Sequence, residues 1–135
     1  MFGKKQSKPQ NRIDSLIGAG TAIDGNIGFS GGLRVDGEVN GNIIAAPGKP
    51  STLVLSEHGR INGEIKVTHL VVNGVVEGSV HAAEYLELQG KAKVVGDIHY
   101  KTLEIHLGAV VEGKLIHLAD ALSDKVVAFK LNSAE

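Results

Sequence analysis

The chain has 135 residues with 14 lysines and arginines against 15 aspartates and glutamates. Its formal net charge of −1 argues against a nucleic-acid-binding protein, which is normally basic. The absence of cysteine excludes disulfides, thiolate metal sites and a cysteine nucleophile. Apolar residues make up 42% of the chain, enough to form a core, and 18 residues are glycine. No apolar run reaches the ~18 residues that a membrane-spanning helix needs. Together these features favour a cytoplasmic, β-rich domain with its own core.

Residues 1–12 form a basic segment with four cations and no acidic residue. Because they contain little apolar surface, we expect them to be disordered. The first two side chains are apolar and suit a membrane interface, and the lysines that follow suit anionic headgroups. The segment is therefore a candidate membrane-targeting tail, against the alternative of a solvated basic tail. Its candidate lipid-binding residues are Met1, Phe2, Lys4, Lys5 and Lys8.

Residues 13–117 contain six segments that align on a final Gly-x-aliphatic unit. The intervals between the aligned glycines are 16, 22, 15, 18 and 17 residues, and the longest contains the loop insertion Pro47-Gly48-Lys49-Pro50. A glycine recurring at one place suits a corner that needs a positive φ or a close backbone approach. The aligned glycines are Gly25, Gly41, Gly63, Gly78, Gly96 and Gly113.

Apolar and polar residues alternate within each segment, which is the period of a half-buried β-strand. Aligning the segments places the apolar positions in four columns. The columns are Leu33, Leu53, Leu70, Leu86 and Leu103; Val35, Leu55, Val72, Leu88 and Ile105; Ile23, Val39, Ile61, Val76, Val94 and Val111; and Ile27, Ile43, Ile65, Val80, Ile98 and Leu115.

A segment of ~17 residues is too long for one strand and fits one turn of a solenoid built from short strands. We therefore predict an all-β, single-stranded parallel β-helix of about six turns. A β-sandwich is one alternative, although it gives no reason for identical columns. A left-handed hexapeptide β-helix, which would imply an acyltransferase, is another, but it favours a regular coil close to 18 residues.

Residues 118–135 lack glycine and are predicted to form a C-terminal end element or tail. A solenoid ends in unpaired backbone groups and an open slice of core, so each end favours association unless it is capped. The apolar side chains of this segment could form an end-to-end contact or fold over the last turn. The candidate self-association residues are Val126, Val127 and Phe129 at this end, and Ile17 and Ile23 of the first turn at the other.

Residues 16–43, LIGAGTAIDGNIGFSGGLRVDGEVNGNI, and the Gly-x-aliphatic units up to EGKL at 112–115 closely resemble the bactofilins, bacterial cytoskeletal proteins. The segment MFGKKQSK also resembles the membrane-targeting start of many bactofilins. The resemblance implies a right-handed β-helix whose subunits polymerise without nucleotide into non-polar filaments. It further implies a peripheral position on the inner face of the cytoplasmic membrane. There the filament would scaffold cell-wall synthesis or hydrolysis enzymes and influence cell shape.

No residue pattern in the chain indicates catalysis, a cofactor or a small-molecule substrate. The column alignment predicts that His81 and His99 stack outward on adjacent turns, where two ligands alone do not define a metal site. Glu87 and Glu104 are predicted to stack as like charges. No GxxxxGK[ST] phosphate loop is present. A non-enzymatic filament subunit is therefore expected, with a non-filamentous oligomeric binding scaffold as the alternative.

Overall fold

The computed structural model describes residues 12–119, which form sixteen β-strands and no helix. Every strand pairing among them is parallel, so the β-sandwich alternative is wrong. In chain order the strands are β1 Ser15–Ile17, β2 Ala22–Asp24, β3 Ile27–Phe29, β4 Gly31–Val35, β5 Glu38–Asn40, β6 Ile43–Ala45, β7 Ser51–Leu55, β8 Arg60–Asn62, β9 Ile65–Val72, β10 Val75–Glu77, β11 Val80–Leu88, β12 Lys93–Val95, β13 Ile98–Tyr100, β14 Leu103–Ile105, β15 Val110–Glu112 and β16 Leu115–His117.

The strands follow one another around three faces, and each circuit of the three faces makes one rung of a β-solenoid. The first rung is β1–β2–β3, the second β4–β5–β6, and the sixth β14–β15–β16. Strands β9 and β11 continue from the third face of one rung to the first face of the next. The prediction of about six parallel turns is confirmed.

The four predicted columns form the interior in the predicted register. Val39 lies beside Ile61, which pairs with Val76, and this column continues through Val94 to Val111. The column members of the middle rungs are almost completely buried, since each has neighbours in the rungs on both sides. Burying one such aliphatic side chain stabilises the fold by about 1.5–3 kcal/mol, so the columns supply most of the driving force.

The aligned glycines stack directly over one another at one corner of the solenoid. Gly78 has a φ of +147°, and a Cβ built there would lie 2.2 Å from the carbonyl oxygen of Gly63 in the preceding rung. Gly63 stands in the same relation to Gly41, at 2.1 Å. Both the backbone angle and the space exclude a side chain, which explains why the sequence repeats glycine at this corner.

Asparagine side chains reinforce the rungs beside this glycine corner. Asn40 donates a hydrogen bond to Asp24 (2.9 Å), and Asn62 donates one to Asn40 (2.7 Å). On the other side of the glycines, Asn42 accepts a hydrogen bond of 2.9 Å from the backbone N–H of Glu64. These bonds join adjacent rungs in the same register as the backbone ladder.

Substituting a stacked glycine should be far more costly than substituting a glycine in the loop insertion. We expect Gly78→Ala to lower the free energy of unfolding by about 4 kcal/mol or more, because the new Cβ overlaps backbone atoms. Gly48→Ala is the matched control, since Gly48 also has a positive φ (+84°) but has open space around its Cβ position. It should cost only about 1–2 kcal/mol for the left-handed conformation. Denaturant titration measures both values, and equal losses would contradict the stacking argument.

Candidate self-association surfaces

Among residues 12–119, no strand follows the last rung to cover the end of the interior columns. Leu115 is 45% exposed, whereas Ile98, its neighbour in the same column one rung earlier, is fully buried. Ile105 is 47% exposed above the fully buried Leu88. The contrast arises because, within the described part of the chain, rung six has a neighbouring rung on one side only. We define the C-terminal tip as the exposed or half-buried apolar side chains of this rung, which are Leu103, Ile105, Leu107, Val110, Val111, Leu115 and Ile116.

The first rung is also partly open. Ile23, a predicted self-association residue, is half-buried and lies beside the fully buried Val39. Ile17, the other predicted residue, is buried at 9% exposure and therefore presents little surface. Ile13 and Leu16, which are not among the predicted residues, are the more exposed apolar side chains at this end. We define the N-terminal tip as Ile13, Leu16, Ile23, Ile27 and Phe29.

The backbone of both terminal rungs has an unpaired side within residues 12–119. The first sheet runs from β1 to β16, and the second runs from β2 to β15, so these strands each have one partner. Strands β3 and β14 likewise each pair with a single strand. An edge strand with free N–H and C=O groups beside apolar side chains is a template for another β-edge.

The other predicted site residues lie outside the described part of the chain. These are Met1, Phe2, Lys4, Lys5 and Lys8 of the proposed tail and Val126, Val127 and Phe129 of the C-terminal segment.

The Pro47–Pro50 insertion borders a shallow groove on the side of the solenoid. The groove has a volume of about 610 Å³ and is lined by apolar side chains, chiefly Phe29, Ile44 and Pro47, with no titratable residue. A smaller hollow of about 290 Å³ on the other side of the loop includes Lys49, Lys66 and His81. A third hollow beside the loop, of about 230 Å³, has both His69 and Glu84 in its lining.

The predicted histidine stack is confirmed. The rings of His81 and His99 lie 5.7 Å apart between centroids at an interplanar angle of 25°. On the preceding rung, Lys66 is the neighbour of His81 in the strand register. Burial, followed by the charges of His99 and Lys66, lowers the pKa of His81 below its ordinary value, and the Glu64 carboxylate opposes this shift.

One histidine departs from a surface position. His69 is buried at 7% exposure, and its Nδ1 lies 2.8 Å from the Thr68 hydroxyl. That hydroxyl also accepts a hydrogen bond from the Ser51 backbone N–H and donates one to the Ser51 carbonyl, each at 2.7 Å. The repeat pattern does not predict this network, because it forms where β7 and the longer β9 meet beside the loop insertion.

Terminal rungs with exposed apolar side chains and single-partner strands are compatible with a polymer-forming protein. A family model described as "Bactofilin: Polymer-forming cytoskeletal" matches residues 15–116, which are nearly all of the solenoid. The chain belongs to the bactofilin family. Membership of this family favours the filament-subunit interpretation over the left-handed hexapeptide β-helix of an acyltransferase.

Two curated bactofilins of Myxococcus xanthus (strain DK1622) are similar to this bactofilin. BacP is 29% identical over 112 residues, which are 83% of this chain and 45% of BacP. BacO is 28% identical over 102 residues, which are 76% of this chain and 78% of BacO. This bactofilin therefore spans less than half the length of BacP and most of BacO.

A solved structure is also similar. It is a cryo-EM reconstruction of Thermus thermophilus bactofilin double helical filaments, which matches with a TM-score of 0.63 and 25% identity. The match covers 73% of this chain and 96% of the Thermus chain. Within residues 12–119 of this bactofilin, no helix is long and apolar enough to cross a membrane.

The histidine stack predicts a loss of stability on acidification. Because the pKa of His81 is lower in the folded than in the unfolded chain, its contribution is present above the ordinary value of 6.5 and is lost as the pH falls through the folded value. We expect His81→Gln to reduce the fall in unfolding free energy between about pH 7.5 and about pH 5.5. His58→Gln, at an exposed loop histidine, is the control. Parallel pH profiles for wild type and His81→Gln would contradict the assignment.

Proposed function

We propose that this bactofilin is a structural subunit that assembles end to end, without nucleotide, into non-polar cytoskeletal filaments. The filaments lie against the inner face of the cytoplasmic membrane and scaffold cell-wall or cell-shape machinery. The observation that carries the proposal is the exposure of interior column members at the terminal rungs. Family membership and the filament form of the similar Thermus protein support it.

The tips suit self-association because they expose the same kinds of group that hold consecutive rungs together. Leu115 and Ile105 continue aliphatic columns, and β14, β15 and β16 each have one strand neighbour among the described residues. A second subunit placed on this surface extends both the columns and the backbone ladder. An end face of this size buries little area, so a single contact is weak and long filaments depend on contacts at both ends.

The non-polar arrangement joins like ends, and the family resemblance is what supports it. In that arrangement the C-terminal tip meets another C-terminal tip, and the N-terminal tip meets another N-terminal tip. Val126, Val127 and Phe129 are proposed to contribute to the first of these contacts, and Ile17 and Ile23 to the second. A two-fold joint of this kind is self-complementary, because the same patch serves both partners.

Membrane attachment is proposed to occur through the basic tail. Each lysine near an anionic surface contributes about 1 kcal/mol, so one tail is a weak anchor. A filament that carries many tails binds by avidity, so polymerisation and membrane binding strengthen each other. The bound filament is then a fixed surface for clients such as wall enzymes, with no catalytic role of its own.

A charge placed on the C-terminal tip should block assembly. We expect Leu115→Glu to give short soluble species, because a carboxylate would lie unpaired within the end contact. The matched control is Ile44→Glu, which alters a strand residue of similar exposure, 40% against 45%, on the side of the solenoid. Sedimentation and negative-stain microscopy without nucleotide measure both. Filaments of wild-type length for Leu115→Glu, or loss of filaments for Ile44→Glu alone, would overturn the end-to-end assignment.

Deleting residues 1–8 should release the protein from anionic liposomes while leaving filaments intact. The deletion removes three lysines and the two apolar residues of the proposed tail. Co-sedimentation with vesicles containing phosphatidylglycerol measures binding, and vesicles of phosphatidylcholine alone give the charge control. Co-sedimentation unchanged by the deletion would contradict the membrane proposal without affecting the filament proposal.

A further inference from the structure

Three metal-ligating side chains from the last two rungs meet on one outer face of the solenoid. Glu87 of β11 and Glu104 of β14 are direct neighbours in the parallel register. His106 follows Glu104 by two residues and is the first residue after β14 ends at Ile105. Its backbone N–H donates a 2.8 Å hydrogen bond to the carbonyl oxygen of Leu88, which fixes the position of the residue on the rung below.

The imidazole of His106 lies between the two carboxylates. Its Nε2 is 2.9 Å from Oε2 of Glu87 and 3.3 Å from Oε2 of Glu104. The three ligand atoms all lie within 4.8 Å of one another. The like-charge pair follows from the column alignment, whereas the position of His106 does not, because the loop after β14 brings this residue into the group.

The strand register brings the carboxylates of Glu87 and Glu104 together, and the only cationic partner they share among the described residues is the titratable His106. Among the ion pairs of residues 12–119, both glutamates pair with His106 and neither pairs with a lysine or an arginine. Like charges directly opposite on neighbouring strands destabilise the pairing, and a divalent cation between them would reverse that effect.

We propose that Glu87, Glu104 and His106 form a binding site for a zinc-class divalent cation that ties the last rung to the rung before it. The set is a mixed one, with an imidazole nitrogen and two carboxylate oxygens, which is the donor combination that Zn²⁺ accepts. Ligand atoms of a tetrahedral zinc site are about 3.3 Å apart, given its bond lengths of about 2.0–2.1 Å. Both histidine–carboxylate distances are already near that value, and the fourth position is left for water.

Two neighbouring side chains hold the carboxylates in place. The Tyr85 hydroxyl donates a hydrogen bond to Oε1 of Glu104, leaving Oε2 of that residue directed at His106. Gln89 donates a 3.2 Å hydrogen bond to Glu87. Hydrogen-bond partners of this kind orient the side chains that bind the metal directly, and they strengthen metal binding.

The site lies where the solenoid is least supported, because rung six has one neighbouring rung among the described residues. A cation shared between the rungs would hold β14 and the loop after it against β11. The ligands belong to a single chain, so the site does not depend on filament formation.

The test is titration of the metal-free full chain with Zn²⁺ alone, at about pH 7.5, in competition with a chromophoric chelator. We expect one zinc per chain and a rise in the thermal unfolding midpoint as zinc binds to the folded state. Glu104→Gln and His106→Gln should each weaken zinc binding at least tenfold and remove the rise in midpoint. Both variants replace outward-facing groups, so circular dichroism without zinc should match the wild type.

The double variant His81→Gln/His99→Gln is the matched control, because it removes two other neighbouring surface histidines. It should bind zinc like the wild type. Absence of stoichiometric binding by the wild type would overturn the proposal, as would loss of binding in the control with retention in Glu104→Gln and His106→Gln. One zinc per two chains would also overturn it, since the metal would then join subunits rather than rungs.

Discussion

The structure depends on the close stacking of one rung directly on the next at the glycine corner. Each aligned glycine after Gly25 approaches the carbonyl of the aligned glycine before it so closely that a Cβ would overlap backbone atoms. With the corner fixed in this way, the alternating side chains of every rung fall into the same register, and the aliphatic columns close into a dry interior. Within residues 12–119, the first and last rungs of this stack expose part of the same aliphatic columns that form the interior.

The exposed apolar side chains of the terminal rungs connect the fold to a family described as polymer-forming and cytoskeletal. The grooves beside Pro47 are shallow, and the lining of the first is mainly apolar. The exposed aliphatic residues are instead concentrated at the terminal rungs, as Leu107 and Leu115 illustrate. In the proposed filament, the surface that binds another subunit is a cross-section of the core.

Much of the architecture could be predicted because a solenoid repeats its information six times. The column that runs from Ile23 to Val111 and the stacked histidines follow from alignment of the segments alone. Features that occur once could not be predicted in the same way. The buried His69 network depends on a single irregular corner, and the place of His106 beside two glutamates depends on one loop. At the N-terminal end, Ile17 is in register with the buried Val35 and is 9% exposed, whereas Leu16 beside it is 59% exposed.

A cryo-EM reconstruction of filaments of this chain tests the central claim most directly, because it shows what covers the terminal rungs. The account predicts that the ~4.8 Å rung spacing continues through the joints between subunits, with Ile105 and Leu115 buried against the next subunit. A reconstruction in which these residues face solvent, while subunits join along their sides, would contradict it.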